Sequence, residues 1–177
     1  MTNETQIDTK FRGRVVTVNV ETVTLPNGER AVLDVVHHPG GAAIVALDDQ
    51  HRVCVLRQFR HAAGGWIWEL PAGKLEAGEP PLECARRELV EEAGRVARRW
   101  ESLGPVHSSP GVFTEIIHLF LARDLTPAAQ AHELHEVIEV HWLPITEAWG
   151  RAVDGTYTDG KTLIGLLRAH ARLNASR

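Results

Sequence analysis

Short apolar runs, separated by turn-forming residues, recur along most of this chain. Their β-branched and alternating character predicts a series of strands. The predicted strands span residues 15–24, 31–38, 42–47, 53–59, 66–70, 98–103, 115–122 and 137–143. Pro26, Asn27 and Gly28 form a strong turn signal between the first two runs, so we expect an N-terminal β-hairpin there.

A helical period replaces this pattern between residues 81 and 93. Apolar residues recur there at spacings of three and four, which places them on one stripe of a helix. The members of this stripe are Leu82, Ala85, Leu89 and Ala93. Pro81 suits the first helical turn because it has no N–H to satisfy, and Gly94 is a typical C-terminal stop.

Two further helices are predicted near the C-terminus, over residues 146–153 and 161–173. Thr158 or Asp159 is the candidate N-cap of the second helix. Many strands with few helices, one of them inserted in the middle of the chain, are typical of an α/β sandwich with a mixed sheet.

Composition and charge narrow the class of protein. The 177 residues carry a net charge of −4 and no run of Lys or Arg, which argues against a nucleic-acid or anionic-membrane surface. Residues 1–10 are polar, lack the apolar segment of a secretory signal, and are expected to form a disordered tail. Cys54 and Cys84 stand singly in apolar patterns, which favours buried free thiols over a disulfide or a zinc site. Together these features predict a cytoplasmic protein.

Three carboxylates, those of Glu88, Glu91 and Glu92, lie on the flank of the predicted helix beside its apolar stripe. Like charges at these spacings repel by roughly a few tenths of a kcal/mol per pair. The last turns of a helix also disfavour anions because of the helix dipole. We therefore expect a compensating cation, and hard oxygen ligands on a rigid helix suit Mg²⁺ or Mn²⁺. A solvated, charge-rich surface helix is the alternative interpretation.

The three carboxylates belong to a longer spaced pattern. It reads Gly73, five residues, Glu79, seven residues, Arg87-Glu88-Leu89, one residue, Glu91-Glu92, one residue, Gly94. With usage of about 6–7% for each residue type, a chance match at even seven of these positions has odds of roughly one in 10⁸ per start site. The segment resembles the Nudix box, the signature of hydrolases that cleave nucleoside diphosphates linked to another group. Arg95 departs from the family pattern, which prefers an aliphatic or aromatic residue there.

Two segments outside the box carry a finer resemblance. Residues 57–79 read RQFRHAAGGWIWELPAGKLEAGE, with an Arg-Gln-aromatic-Arg strand before a Glu-aliphatic-Pro-Ala-Gly turn. Ser109-Pro110-Gly111 is followed by Glu115, although residues 112–114 depart from the usual run. Both segments resemble the ADP-ribose pyrophosphatase branch of the family. The resemblance implies hydrolysis of ADP-ribose, or a related nucleoside diphosphate sugar, to AMP and ribose 5-phosphate with Mg²⁺ or Mn²⁺ as cofactor.

The same resemblance implies an architecture. It is the Nudix fold, an α/β/α sandwich with a mixed sheet, over residues 41–177. Residues 11–40 would form the N-terminal β-hairpin and serve as a dimerisation segment. The expected partner is a second copy of the chain, which exchanges its N-terminal strands to give a homodimer.

Roles for individual residues also follow from the resemblance. The implied metal ligands are the carbonyl of Ala72 and the side chains of Glu88, Glu91, Glu92 and Glu136. The implied catalytic residues are Glu91, Glu92, Glu136 and Arg87. Among them Glu136 is the expected general base, with Glu133 as the alternative, and Arg87 is expected to pair with Glu79 and hold the loop against the helix. The implied substrate-binding residues are Arg57, Arg60, Glu69, Lys74, Pro110 and Glu115.

The strand pattern limits some of these assignments. Arg57 and Arg60 are three residues apart and face opposite sides of a strand, so only one can point at the ligand, and Arg60 is favoured. Trp66 and Trp68 share a strand face, where a core role is favoured over stacking on a base. Four histidines are interpreted as exposed loop residues rather than ligands; they are His37, His38, His132 and His135.

Two other functions remain open from the sequence. One is a hydrolase of nucleoside triphosphates or dinucleoside polyphosphates, against which the Ser-Pro-Gly segment and the N-terminal hairpin argue. The other is a non-catalytic module that binds ADP-ribose. Such a module is expected to lose carboxylates of the box, and Glu88, Glu91 and Glu92 are intact here.

Overall fold

The computed structural model describes residues 5–130 and 137–175. Its strands are β1 Gln6–Arg12, β2 Thr17–Thr24, β3 Arg30–His37, β4 Gly41–Ala46, β5 Arg52–Arg60, β6 Gly65–Glu69, β7 Ala72–Lys74, β8 Arg95–His107, β9 Ile116–Pro127 and β10 Ile138–Pro144. Its helices are α1 Pro81–Ala93, α2 Ile145–Val153 and α3 Gly160–Ala175. The bounds of α1 are those predicted from Pro81 and Gly94, and Gly94 ends the helix in the left-handed conformation with φ 59°.

Three sheets organise the strands. The N-terminal sheet has the antiparallel order β1-β2-β3, a second sheet has the order β10-β5-β6, and a third has the order β7-β4-β9-β8. In the third sheet β4 and β9 are parallel while the other pairs are antiparallel, so the predicted mixed sheet is confirmed.

Helices cover the central strands from both sides. Ala43 and Val45 of β4 belong to a core cluster shared with α2 and α3, whereas Ala42 and Ile44 belong to a cluster shared with α1. Because successive side chains of a strand point to opposite faces, β4 lies between two helical layers. The predicted α/β/α sandwich is therefore confirmed. Both cysteines are free and buried, as predicted, and no helix among the described residues has the length and apolar character needed to span a membrane.

The predicted disordered tail over residues 1–10 is wrong from Gln6 onward, because β1 pairs with β2 and extends the expected hairpin to three strands. Every residue of β1 is exposed, so burial of side chains does not stabilise this strand. The strand forms nonetheless because antiparallel pairing satisfies its backbone groups, and Thr9 Oγ1 adds a hydrogen bond of 2.9 Å to Asn19 Oδ1. The division into an N-terminal segment over 11–40 and a domain over 41–177 stays a prediction.

Two strands differ in extent from their predictions. β8 and β9 continue well beyond residues 98–103 and 115–122, through exposed polar stretches that pair with each other. The short strand β7, which the sequence did not predict, pairs with the start of β4 and so places Gly73 beside α1.

Candidate active site

A cavity of about 590 Å³ opens at the edge where β7, α1, the end of β8 and the start of α3 meet. Five of the residues expected from the sequence to bind metal or to act in catalysis lie in the described part of the chain. Four of them line the cavity, namely Ala72, Arg87, Glu88 and Glu91. The spaced pattern therefore converges on one surface, because the turn after β6 folds back along α1.

Burial distinguishes the carboxylates of α1. Glu88 is 7% exposed and Glu92 is 1% exposed, which is rare for this residue type without a specific role. The carboxylate of Glu88 lies directly against Gly73, where a Cβ atom would come within 1.7 Å of Glu88 Oε1. Glu92 does not line the cavity; its Oε2 accepts a hydrogen bond of 2.8 Å from the N–H of Ala72. Gly73 therefore leaves the space that the Glu88 carboxylate occupies, and the N–H of Ala72 holds the Glu92 carboxylate.

Arg87 is the cation that compensates this helix flank. Its Nε and Nη2 bind the two carboxylate oxygens of Glu79 at 3.0 and 3.1 Å. Its Nη1 lies 2.6 Å from Glu88 Oε1 and 3.0 Å from Glu91 Oε2. The hydrogen bonds from Arg87 lower the pKa of Glu79, and the bond to Glu79 is the main cause that raises the pKa of Arg87. Arg87 also donates to the carbonyl of Lys74 at 3.2 Å, so it joins the β7 segment to the helix.

The donor set suits a hard divalent cation. Arg87 provides one positive charge against three carboxylates, so the group keeps a net negative charge. Among the described residues no three carboxylate, thiol or imidazole groups enclose an ion by themselves. Mg²⁺ does not require such an enclosure, because it typically takes one or two protein carboxylates and completes its shell with water and substrate phosphate oxygens. Glu88 and Glu91 at the cavity wall, with the carbonyl of Ala72, fit that mode.

A second charged group lies in the same cavity. Glu69 is 3% exposed and binds Arg60 through both oxygens, with Nη2 at 2.7 Å and Nε at 3.1 Å from Oε2. Lys161 Nζ lies 3.2 Å from Glu69 Oε1 and 3.1 Å from Asp159 Oδ1. Burial opposes the charge of Arg60, but its hydrogen bonds to Glu69 raise its pKa above the ordinary value. Two cations are thereby held at fixed positions beside the carboxylates of α1.

Sequence reasoning missed Lys161 as a member of this site. The sequence predicts Asp159 only as a candidate N-cap, and its Oδ2 does accept the N–H of Thr162 at 3.0 Å at the start of α3. A signal was present, because a lysine immediately after a cap at the start of a helix is placed against the dipole. Such a cation needs nearby carboxylates, and Glu69 and Asp159 supply them.

The other predicted substrate-binding residues divide between two places. Arg60, Glu69, Lys74 and Glu115 line the cavity, whereas Arg57 and Pro110 do not. Arg57 lies on the opposite face of β5, 3.4 Å from Glu139 and 5.1 Å from the ring centroid of Trp66. The substrate roles of all six stay predictions. Glu136 and the alternative base Glu133 lie outside the described residues, and so do His132 and His135.

Two aromatic side chains differ from their predictions, Trp66 and His38. Trp68 packs against the core as expected, but Trp66 is 41% exposed, because helix α2 covers only the part of the sheet nearer Trp68. His38 was expected to be an exposed loop residue. Its side chain is only 12% exposed and lines the cavity, because the turn after β3 directs it between the sheet and the segment before β9.

Comparison with known proteins agrees with this geometry. The ADP-ribose pyrophosphatase of Bacillus subtilis (strain 168) is 38% identical over 154 residues, which cover 86% of this chain and 83% of the relative. The ADP-ribose pyrophosphatase of Mycobacterium tuberculosis (strain H37Rv) is 36% identical over 167 residues, or 93% of this chain and 81% of the relative. A solved structure described as an ADP compounds hydrolase has the same fold, with a TM-score of 0.84 over 99% of this chain and 96% of its own, at 20% identity.

The family model for the NUDIX domain matches residues 37–163, a range that contains the whole spaced pattern and the strands that position it. The match and the two relatives cover most of the chain. The chain therefore belongs to the Nudix family.

Proposed function

We propose that this Nudix hydrolase cleaves the diphosphate of ADP-ribose, or of a closely related nucleoside diphosphate sugar, to give AMP and ribose 5-phosphate. The observation that carries the proposal is the composition of one cavity. It combines the carboxylates of α1, the fixed cations Arg60 and Lys161, and the further carboxylate of Glu115. The two relatives reported above are named for hydrolysis of ADP-ribose, which supports the choice of substrate.

Each part of the cavity suits one part of such a substrate. The diphosphate carries two negative charges, and Arg60 and Lys161, held in position by Glu69, can each donate hydrogen bonds to its oxygens. Arg87 keeps the carboxylates of α1 aligned against β7. Its guanidinium already pairs with three carboxylates, so we assign it no contact with the substrate. Glu115 offers acceptor oxygens, which suit uncharged hydroxyl donors on a sugar and repel phosphate.

We propose Mg²⁺ as the cofactor, held at the cavity wall by Glu88, Glu91 and the carbonyl of Ala72, with Glu92 as the further ligand that the resemblance implies. When bound, a divalent cation supplies neutralisation of phosphate oxygens and acidifies an attacking water. Hydrolysis consumes one water, whose oxygen becomes part of one phosphate product while the other phosphate leaves with the bridging oxygen. Removal of the proton of that water is assigned to Glu136, which stays a prediction from the resemblance.

The oligomeric state forms part of the proposal. The N-terminal sheet exposes apolar side chains that a small three-stranded sheet alone does not bury, among them Ile7 at 60%, Phe11 at 55% and Val32 at 67%. We propose that a second copy of the chain covers them, giving a homodimer. Light scattering tests this: the wild type is expected at twice the mass of one chain, and a Phe11→Lys, Val32→Lys double variant at the mass of one. A monomeric wild type would refute the dimer. The cytoplasmic location predicted from the sequence remains a prediction.

Product analysis tests the proposed reaction. The pure protein is incubated with Mg²⁺ and, in parallel, ADP-ribose, ADP-glucose, GDP-mannose, a diadenosine polyphosphate and a nucleoside triphosphate. We expect kcat/KM to be highest for ADP-ribose, with AMP and ribose 5-phosphate as the products. Faster hydrolysis of the triphosphate or the diadenosine compound would overturn the proposed substrate class. Binding of ADP-ribose without any turnover would instead indicate a non-catalytic module.

A further inference from the structure

His38 occupies a junction between the N-terminal sheet and the cavity. It follows β3 directly, its ring lies 5.2 Å from that of Phe113, and its side chain is 12% exposed. The backbone around it is equally constrained. Gly40 has φ +89°, and a Cβ there would come within 2.9 Å of the carbonyl oxygen of Ile116. The turn that carries His38 is therefore built for close approach to the segment before β9.

Backbone hydrogen bonds join this turn to the segment that carries Glu115. The N–H of Val36 donates to the carbonyl of Val112 at 2.7 Å, and the N–H of Thr114 donates to the carbonyl of Val36 at 2.9 Å. The N–H of His38 donates to Thr114 Oγ1 at 3.0 Å. Residues 112–114, which depart from the family pattern, are thus fastened along the end of β3.

One ring nitrogen of His38 lies at the centre of this junction. His38 Nδ1 lies 3.0 Å from the backbone nitrogen of Gly40 and 3.3 Å from Glu115 Oε1. One ring nitrogen can serve only one of these groups: without a hydrogen it accepts from the N–H of Gly40, and with a hydrogen it donates to Glu115. Glu115 lines the cavity with its side chain 19% exposed, and no lysine or arginine pairs with it among the described residues. In the tautomer with hydrogen on Nδ1, His38 is therefore the side chain that holds the Glu115 carboxylate in place.

We propose that His38 is a positioning residue that acts through Glu115 on the sugar hydroxyls of the substrate. This inference rests on the proposed function, since it assigns Glu115 to the sugar and the α1 carboxylates to the diphosphate. A carboxylate that is already held in place loses little further conformational entropy when it accepts hydrogen bonds from hydroxyl groups. Loss of His38 lets Glu115 move, so it weakens binding of the sugar and leaves the reaction at the diphosphate unchanged.

The test compares two substrates and three variants. The substrates are the nucleoside diphosphate sugar that the wild type hydrolyses fastest and a simple alkyl ester of the same nucleoside diphosphate, which lacks the sugar hydroxyls. His38→Ala removes the ring. His38→Asn places an amide where Nδ1 lies, so it can still accept from Gly40 or donate to Glu115. His37→Ala is the matched control, because His37 is adjacent, pairs with Glu21 at 2.6 Å and does not line the cavity.

We expect His38→Ala to raise KM for the nucleotide sugar about tenfold, the scale of one hydrogen bond to a charged group, with kcat within about threefold of wild type. The alkyl ester should show no such change, His38→Asn should recover most of the loss, and His37→Ala should match wild type. In a Glu115→Gln background, His38→Ala should add little, because both changes remove one interaction.

Equal losses on both substrates would show that His38 only maintains the fold, and additive losses with Glu115→Gln would show that it does not act through that carboxylate. An unchanged KM in His38→Ala would also overturn the inference. The proposed function itself would be refuted by a wild-type protein that hydrolyses no nucleoside diphosphate sugar. Failure of the proposed function is therefore observed in the wild type, whereas failure of the inference about His38 is observed in the His38 variants.

Discussion

Replacing Gly73 by alanine introduces one methyl group at the point where β7 meets α1. Its carbon would lie 1.7 Å from Glu88 Oε1, whereas ordinary contact begins at 3.4 Å. The carboxylate must therefore move by about another 1.7 Å. It is held at 2.6 Å by Arg87, so the displacement also disturbs the ion pairs of Glu79 and Glu91.

The structure predicts unequal effects of Gly73→Ala on activity and stability. A displacement of about 1 Å in a catalytic group typically costs on the order of 10²-fold in rate, so we expect kcat to fall at least that far. The fold should lose only about 1–3 kcal/mol, because the displaced atoms end a flexible side chain rather than belonging to the backbone. Initial rates with ADP-ribose and Mg²⁺, together with urea unfolding followed by tryptophan fluorescence, measure the two quantities.

A matched glycine provides the control. Gly150 lies in α2, and a Cβ there meets no atom within 4 Å. Gly150→Ala should keep wild-type kcat and gain about 0.5–1 kcal/mol, since alanine favours the helix. If Gly73→Ala kept wild-type kcat and its dependence on Mg²⁺, the position of Glu88 would be irrelevant to turnover and the account of the site would be refuted.

Three further predictions concern charge and packing. Arg87 lowers the pKa of Glu79, so the free energy of unfolding should fall as the pH drops from the ordinary glutamate pKa to the lowered pKa of Glu79. This fall should be less steep in Arg87→Met. Urea titrations at several pH values measure it, and equal slopes in the two proteins would contradict the prediction. Burial raises the pKa of both thiols, that of Cys84 to about 12, so iodoacetamide at pH 8 should label Cys54 and Cys84 only in urea, as mass spectrometry would show. Gly165→Ala should lower the urea midpoint, because its Cβ would come within 2.7 Å of Leu70 Cδ1, and an unchanged midpoint would show that α3 shifts freely.

Local signals were strong enough to predict the centre of the molecule from its sequence. The limits of α1 follow from Pro81, Gly94 and the apolar stripe between them, and all of these act within a few residues of each other. The spacing of the box also indicated that its carboxylates needed a cation, and Arg87 lies within that same segment.

Features that depend on tertiary pairing were not accessible in this way. β1 has only two apolar residues, Ile7 and Phe11, and a register shift separates them, so no periodic signal marked it as a strand before its pairing with β2 was seen. Lys161 and His38 reach the cavity through contacts with Glu69 and Glu115, which lie far from them along the chain. A pattern of neighbouring residues does not identify such contacts. The position of Lys161 at a helix start indicated that it needs a carboxylate but not which one, and nothing near His38 in the sequence pointed to Glu115.

We propose that the buried carboxylates of α1 support metal-dependent hydrolysis of a nucleotide sugar. The most direct test measures turnover of ADP-ribose against Mg²⁺ concentration in wild type, Glu92→Gln and Glu83→Gln. Gln at position 92 still accepts the N–H of Ala72, and Glu83 is the matched control because it is exposed on the same helix and pairs with Arg86. We predict that Glu83→Gln matches wild type while Glu92→Gln loses nearly all turnover at every Mg²⁺ concentration and remains folded. Wild-type turnover in Glu92→Gln would show that this buried carboxylate is not needed for hydrolysis.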